Sequence, residues 1–167
     1  MKIYTKAGDM GETSLCDGKR VSKTDPLVCA CGDMDELNCL LGEIASGCGF
    51  DLLKRIQKDL FNIGSILAGA KVEPEFKVEF LENEIDRIDG ALPKLTSFIL
   101  PGGCAAAAKI HTARSVCRRA ERSISGISDD KKIFAPMLQY LNRLSDLLFV
   151  LARYTNMEHG HEDIILN

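Results

Sequence analysis

The sequence predicts an all-α protein built as a single five-helix bundle. Apolar residues recur at alternating spacings of three and four along five segments, which is typical of helices that bury one face. No segment shows convincing strand character, and no repeats or low-complexity runs occur. The length of 167 residues suits one domain with a sizeable core, and the 46% apolar and 27% charged content is ordinary for a globular protein.

The predicted helices follow apolar seams that run, in chain order, over residues 30–44, 53–70, 81–88, 110–124 and 138–152. Pro74 and Pro93 bound the third helix, the Gly126 region ends the fourth, and Pro136 is expected to precede the fifth. We therefore divide the single domain, 1–167, into an N-terminal loop (1–25), a helical bundle (27–155) and a C-terminal tail (156–167).

Charge and hydropathy exclude several classes of function. The net charge of −3 argues against a nucleic-acid binder that works by bulk electrostatics. No apolar run approaches membrane-spanning length, so we expect no membrane partner. The opening Met1-Lys2-Ile3-Tyr4-Thr5 has no hydrophobic or Arg-rich leader, so we expect a cytoplasmic protein.

Seven cysteines are the next compositional feature. Their number is odd, no Cys-x-x-Cys occurs, and no His is spaced to complete a zinc site. We interpret them as reduced thiols that act as small core hydrophobes, which suits a cytosolic protein. A metal ligand set is therefore not identified from the sequence.

The opening segment Tyr4–Leu15 is rich in glycine and hydroxyl side chains and carries Lys6. Backbone amides, hydroxyls and an ammonium in a glycine-rich concavity suit a polyphosphate. Gly8-Asp9-Met10-Gly11 is equally typical of a hairpin turn, so both interpretations stay open here.

The fourth predicted helix carries the strongest charge feature. Arg114, Arg118 and Arg122 lie at i, i+4 and i+8 and form one line beside the apolar seam, which we call the arginine stripe. Arginine binds phosphate or carboxylate through a planar fork that is always charged. The alternative is a structural ladder neutralised by Glu121 and by acids on neighbouring helices.

Acidic and amide groups lie on the first and fifth helices. Asp35, in Gly32–Asn38, is next in sequence to a seam residue of the first helix, and Arg114 is next to a seam residue of the fourth helix. The two side chains are therefore expected to meet across the bundle. A buried pair of this kind rarely adds net stability, which hints at an orienting role. Asn142, Arg143 and Asp146 are more typical of ordinary decoration near a helix start.

The connector Phe98–Cys104 joins an apolar triplet to Pro101 and two glycines. It is either a hydrophobic plug that closes the bundle, which we take as the default, or a loop in which Phe98 forms one wall of a ligand pocket. His111 lies beside the seam and is expected to be a hydrogen-bonded core histidine. His159 and His161 are expected to be solvated.

Six ordered blocks of this chain resemble the PduO-type ATP:cob(I)alamin adenosyltransferases over nearly its whole length. The blocks are Tyr4-Thr5-Lys6-x-Gly8-Asp9-x-Gly11-x-Thr13-Ser14-Leu15, Gly32–Asn38, Ile56-Gln57-x-x-Leu60-Phe61-x-Ile63-Gly64, Phe98–Gly103, His111-x-Ala113-Arg114-x-x-Cys117–Arg122 and Tyr140–Asp146. The resemblance implies a five-helix bundle, a homotrimer with sites between subunits, and transfer of the 5′-deoxyadenosyl group of ATP to the cobalt of cob(I)alamin with release of triphosphate.

The resemblance also implies roles for individual residues. One subunit would hold ATP, with Mg²⁺, through Thr5, Lys6, Gly8, Asp9, Thr13, Ser14 and Lys23. A second subunit would close on it through Arg118, Arg119, Glu121, Arg122 and Asn142. Asp35 and Arg114 would shape the corrinoid pocket, and Phe98 would lie beneath the corrin ring. The catalytic set would be Asp35, Phe98, Arg114, Arg118 and Asn142.

The chain departs from the family pattern at three places. Cys104 stands where a small or hydroxyl residue is expected, Lys109 replaces an apolar residue, and the tail Glu162–Asn167 is short and lacks an aromatic ending.

A flavoprotein reductase and a cobalamin-dependent acceptor enzyme are the expected protein partners. The alternative functions are a nucleotide-gated corrinoid carrier without catalysis and a purely structural bundle.

Overall fold

A computed structural model describes residues 2–48, 51–73, 75–127 and 131–166. It contains the five expected helices: α1 (Pro26–Cys48), α2 (Asp51–Leu67), α3 (Val78–Asp89), α4 (Ala105–Ser125) and α5 (Lys131–Glu158). The prediction of an all-α five-helix bundle is confirmed. Pro74, which was expected to mark the start of the third helix, and the side chain of Cys48 lie outside the described residues.

Helix α4 lies at the centre of the bundle. It packs against α1 on one side and α5 on the other, while α2 packs on α1 and α3 on α5. The predicted seams form one core, in which Leu37, Leu60 and Leu141 are buried with at most 1% of their surface exposed. None of the described helices is long and apolar enough to cross a membrane. The arrangement places the arginine stripe on a helix that touches both α1 and α5.

Two small antiparallel sheets contradict the expectation of no strands. In the first, β1 (Glu12–Ser14) pairs with β2 (Arg20–Ser22), and in the second, β3 (Ile99–Leu100) pairs with β4 (Ile164–Ile165). Strands of two or three residues are shorter than the four to eight residues that period-two alternation needs to be visible. The second sheet also joins segments more than sixty residues apart, which local patterns do not reveal.

Two predicted helix boundaries are wrong. The second helix ends at Leu67 instead of reaching Ala70, because Gly69 takes a positive φ of 86° that a helix cannot continue. Pro136 lies inside α5 and not before it. A proline near a helix start removes one backbone hydrogen bond, and the next residue, Met137, is buried in the core, so the helix packs through this position.

Candidate active site

The N-terminal loop folds into a turn followed by the β1–β2 hairpin. Backbone amides of Asp9 and Gly11 donate to the carbonyls of Lys6 and Gly8, so this segment is a turn, but it precedes the β1–β2 hairpin and does not connect its strands as a hairpin turn would. Lys6 has a φ of 61°, a left-handed conformation that is rare for a residue with a side chain. Such strain persists where surrounding structure enforces it, and it concentrates at functional sites.

The residues expected to hold ATP lie on the N-terminal turn and along or beside the β1–β2 hairpin. Gly8 lies so close to Lys23 that a Cβ added to it would be 3.3 Å from Nζ of that lysine, so a side chain at Gly8 would crowd the ammonium. The set is exposed or half-buried throughout, and consists of Thr5, Lys6, Gly8, Asp9, Thr13, Ser14 and Lys23. The turn and the hairpin therefore carry two exposed lysines together with hydroxyls and backbone amides.

Arg20 and Cys16 fix this hairpin in place. One guanidinium nitrogen of Arg20 donates to the carbonyl of Ala7 at 2.9 Å and to the carboxylate of Glu12 at 3.1 Å. The amide of Cys16 donates to the carbonyl of Ala68 at 2.7 Å, which ties the hairpin to the end of α2. Arg20 was not predicted, because its position in a β-strand of three residues gives no local signal.

The arginine stripe divides into different environments along α4. Arg118 and Arg122 are exposed and make no hydrogen bond or salt bridge to any residue that the structure describes. Arg114 is half-buried, with its guanidinium carbon 6.0 Å from the ring centre of Phe149 and its Nε buried without a partner. The neutralised-ladder interpretation therefore does not describe Arg118 and Arg122.

Arg119, one residue from the stripe, is neutralised by α1. Its Nε donates to Asp33 at 2.8 Å, and a second nitrogen contacts Glu36. The hydrogen bond to Asp33 is the main reason that the pKa of Arg119 is raised. Ser123 also donates to the second oxygen of Asp33, so α1 and α4 are joined by a small polar network.

Glu121 and Asn142 meet between α4 and α5. The Asn142 amide donates to the Glu121 carboxylate at 3.3 Å, and its own oxygen accepts from Arg143 at 2.7 Å. Arg143 in turn donates to Glu82 on α3 at 2.9 Å. Asn142 and Arg143 are thus parts of a network that crosses three helices, not ordinary helix decoration.

Asp35 and Arg114 do not meet within the chain, which corrects the expectation of contact across the bundle. The exposed Asp35 lies at the α1–α2 side, in a cavity of about 230 Å³ that also includes Asn38 and Phe61. Arg114 lies beside α5, and the described residues form no salt bridge between the two side chains. Asp35 lies towards α2 and Arg114 towards α5, which explains the separation.

Phe98 is 87% exposed, so its interpretation as a core plug is wrong. The loop behind it is fixed by Asn156 of α5, which donates to the Gly102 carbonyl at 2.9 Å and accepts from the Cys104 amide at 3.0 Å. The Cys104 side chain accepts from the amide of Ala107 and so caps α4 in place of a hydroxyl. Phe98 remains available as a pocket wall.

The histidines differ from expectation in part. His111 is buried with 4% of its surface exposed, but both ring nitrogens lack a hydrogen-bond partner, so the expected hydrogen bonds of a core histidine are absent among the described residues. Burial is the main cause that lowers its pKa, and the charge of Arg114 adds to it. His159 and His161 are exposed, and His159 lies 2.8 Å from the Thr155 carbonyl.

The cysteines are unpaired thiols at the six positions described with side chains. Only Cys117 is buried, and its pKa is raised chiefly by that burial, while Cys16, Cys29 and Cys39 are exposed. The core-hydrophobe interpretation thus holds for Cys117 and is wrong for the exposed three. The described residues contain no group of three or more His, Cys, Asp or Glu placed to hold a metal.

The residues expected to bind ATP lie on two parts of the chain, the N-terminal segment with its hairpin and α4. Within the described chain no hydrogen bond or salt bridge joins them. The hairpin is fixed to α2, whereas the arginines that are unpaired among the described residues lie on α4, which packs against α1 and α5. The two parts are therefore separate surfaces of one chain.

Comparison with known proteins assigns this arrangement to a family. The family described as cobalamin adenosyltransferase matches residues 3–155. The chain belongs to that family. A cobalamin adenosyltransferase of Cupriavidus metallidurans is 42% identical over 98% of this chain and 93% of its own length.

Two further members of the cobalamin adenosyltransferase family show how far the similarity extends. The corrinoid adenosyltransferase PduO of Salmonella typhimurium is 40% identical over 99% of this chain, which spans 53% of that longer protein. A variant PduO-type ATP:corrinoid adenosyltransferase from Lactobacillus reuteri, solved in complex with cobalamin and ATP, is 36% identical. It superposes with a TM-score of 0.91 over 99% of both chains.

Proposed function

We propose that this chain transfers the 5′-deoxyadenosyl group of ATP to the cobalt of cob(I)alamin, giving adenosylcobalamin and triphosphate. Family membership supports the reaction, and the observation that carries the assignment to this surface is the pair Arg118 and Arg122. These two cations stand unpaired among the described residues of a chain whose net charge is −3. An anion of high charge is the ligand that such a pair fits.

The reaction requires little covalent chemistry from the protein. The cobalt electron pair forms the bond to the ribose 5′-carbon, the bond from that carbon to oxygen breaks, and its electrons leave with the triphosphate. Positive groups fixed around that leaving group stabilise the developing charge without reorganising during the step. Arg118 and Arg122 fit this role, and Arg119 stands beside them, oriented by Asp33 and Glu36.

We place the nucleotide between two subunits of a homotrimer. The hairpin set, which includes Lys6 and Lys23, would bind ATP from one subunit, and the α4 set would close on it from the next. The lack of a polar link between hairpin and α4 within the described chain supports this division. Orientation of two substrates across such an interface supplies much of the rate enhancement in reactions of this kind.

Mg²⁺ would enter this site with ATP. Magnesium prefers oxygen ligands and usually binds substrate phosphates with only one or two protein groups, which agrees with the absence of a dedicated acidic cluster in the described residues. Glu121 and Asn142 offer a carboxylate and an amide oxygen next to the arginines. The ion would add positive charge at the triphosphate.

The corrinoid would lie against Phe98, Asp35 and Arg114. A donor atom on the lower face of cob(II)alamin makes reduction to cob(I)alamin harder, and an aromatic ring there fills the space without a lone pair. Phe98 is exposed and held by a fixed loop, as this role requires. Asp35 and Arg114, separated within the chain, are proposed to approach each other between subunits.

The decisive experiment mixes the protein with ATP, Mg²⁺ and chemically reduced cobalamin and follows the light-sensitive spectrum of adenosylcobalamin. Catalysis gives many product molecules per subunit, whereas a corrinoid carrier would bind cobalamin without forming the cobalt–carbon bond. In the cell we expect a flavoprotein reductase to supply cob(I)alamin and a cobalamin-dependent enzyme to accept the product. The unpaired thiols favour the cytoplasm as the compartment.

A further inference from the structure

Arg153, near the end of α5, is a buried charge with partners from three separate segments. Its side chain is 2% exposed, and its Nε donates to Asp163 of the tail at 2.8 Å. Another nitrogen donates to the Pro93 carbonyl at 2.7 Å, and a third lies 3.6 Å from Asp89 at the end of α3. A buried guanidinium needs such partners because desolvation otherwise makes it costly.

Asn156, one turn further along α5, holds the other side of the same region. It is 4% exposed and bonds the loop at Gly102 and Cys104, as described above. Gly103 between them has a φ of 100°, and a Cβ there would collide with the Asn156 amide. The amide of His161 donates to the Asn156 carbonyl at 2.9 Å, so the same residue also fixes the start of the tail.

The two anchored segments meet in the β3–β4 sheet, next to Phe98. Ile99 pairs with Ile165, and the ladder continues with the amide of Leu166 donating to the Phe98 carbonyl at 2.8 Å. Residues opposite each other in antiparallel strands share a face, so Leu166 lies on the same face as Phe98. The tail thus supports the backbone of the residue proposed to lie under the corrin ring.

A ladder of two residues per strand is too short to be stable alone. Other parts of the protein must therefore hold the two strands in place. Helix α5 holds both of them: Asn156 binds the loop that follows β3, and Arg153 binds Asp163, which precedes β4. We infer that the Arg153–Asp163 pair is a positioning device, which sets the tail strand and through it the height and orientation of Phe98 beneath the corrinoid. This inference rests on the proposed function, and nothing in it depends on how ATP is held.

Asp163→Asn tests the inference, since it removes the charge that holds the tail while keeping the side-chain shape. A misplacement of about 1 Å at a reacting centre can cost about 100-fold in rate. We expect kcat/KM for cob(II)alamin with a weak reductant to fall by about 10–100-fold. Four-coordinate cob(II)alamin is the form without a donor atom on its lower face. Its spectrum, recorded with ATP, should weaken in parallel, while the KM for ATP stays unchanged. Asp163→Glu, which keeps the charge, should recover most of the lost signal.

Two further variants keep the test decisive if Asp163→Asn unfolds. Leu166→Pro removes the N–H that supports the Phe98 carbonyl, and at the exposed end of the tail it leaves the core intact, so it should reproduce the loss. Glu162→Gln is the matched control, because it removes one tail charge without touching Arg153, and it should behave as the parent protein.

The outcomes separate this inference from the proposed function. A parent protein that forms no adenosylcobalamin from cob(I)alamin overturns the proposed function itself. An active parent, combined with Asp163→Asn and Leu166→Pro variants that keep the four-coordinate signal and the kcat/KM for cob(II)alamin, overturns the positioning role alone. A lowered melting temperature with an unchanged four-coordinate signal and an unchanged kcat/KM for cob(II)alamin would likewise mean that the pair is only structural.

Discussion

Arg119 Nε lies 2.8 Å from Asp33 Oδ1, so one arginine of α4 is neutralised by α1 before any ligand binds. Its neighbour Arg118 has no such partner among the described residues. Two adjacent arginines on one helix therefore differ in what they do for the folded chain. Arg119 links α1 to α4, whereas Arg118 is free to bind an anion, and this difference makes the two residues separable by mutation.

Arg118→Ala is expected to fold as the parent does and to lose activity. Removal of one donor to a developing anion typically costs about 10²–10³ in rate. Turnover at saturating ATP measures this, and Arg87→Ala, an exposed arginine paired with Glu84 on α3, is the matched control. Near-normal turnover of Arg118→Ala would remove the residue from the mechanism.

Arg119→Ala is expected to lower the free energy of unfolding, whereas Arg118→Ala is expected to leave it unchanged. Partly exposed ion pairs contribute about 0.2–1 kcal/mol, and Asp33 would retain only its bond from Ser123. Chemical denaturation of the two variants side by side gives the comparison. Equal stability of both variants would contradict a structural role for the Arg119–Asp33 pair.

Mixed trimers test the proposed division of the ATP site. Lys6→Ala removes the hairpin ammonium and Arg118→Ala removes the α4 cation, so each variant alone should be nearly inactive. Subunits unfolded and refolded together should recover part of the activity, because some interfaces then combine two intact halves. A fully active monomer in sedimentation experiments would contradict the shared site.

Asp35→Ala and Arg114→Ala are each expected to damage corrinoid binding more than ATP binding. If the two side chains meet between subunits, the double variant loses less than the sum of the single losses. The KM values for corrinoid and ATP in the three variants measure the coupling. Strict additivity would mean that the residues do not contact each other in the assembly, just as they do not within the chain.

Phe98→Ala is expected to change the free energy of unfolding by no more than about 0.5 kcal/mol, as for other surface positions. Loss of a core aromatic would instead cost about 3–5 kcal/mol. Leu81→Ala, at a position with no exposed surface, serves as the core comparison. The variant should keep ATP affinity and lose the four-coordinate cob(II)alamin spectrum, and persistence of that spectrum would exclude the role beneath the corrin.

His111 is expected to make stability depend on pH. Burial and the charge of Arg114 lower its pKa below the ordinary value, against an opposing effect of Asp163. The unfolded chain, with a histidine pKa of about 6.5, therefore binds the proton more tightly than the folded chain does. Stability from neutral His111 is complete above about pH 6.5 and is lost as the pH falls through the folded pKa.

Melting temperatures at about pH 7.5 and about pH 5.5 measure this dependence, since the two values bracket the histidine range. His111→Phe, beside Phe149, should show a smaller drop between them than the parent, whereas the exposed His161→Gln should not differ. An unchanged drop in His111→Phe would show that other groups control the acid sensitivity.

The helices and the line of arginines on α4 were predictable because their signals are local. A seam such as Leu53–Leu67 repeats within one helix, and the spacing of Arg114, Arg118 and Arg122 places them in line wherever the helix packs. The motif blocks likewise predict roles for the hairpin residues and Asn142, and these roles remain predictions. Arg153 and Asn156 were missed, because polar residues at the end of an apolar helix do not reveal which segments will fold against them.

The sequence by itself determined five amphipathic helices, the arginine stripe, the glycine-rich loop and, through the motif blocks, the family. Only the tertiary structure decided that Phe98 is exposed, that Asp35 and Arg114 are apart within the chain, and that Arg119 is paired while Arg118 is not. The physical reason is the distance along the chain between the residues that interact. Helix periodicity is set by neighbours three and four residues away, whereas burial and ion pairing depend on contacts such as Arg119–Asp33, which lie 86 residues apart in the chain.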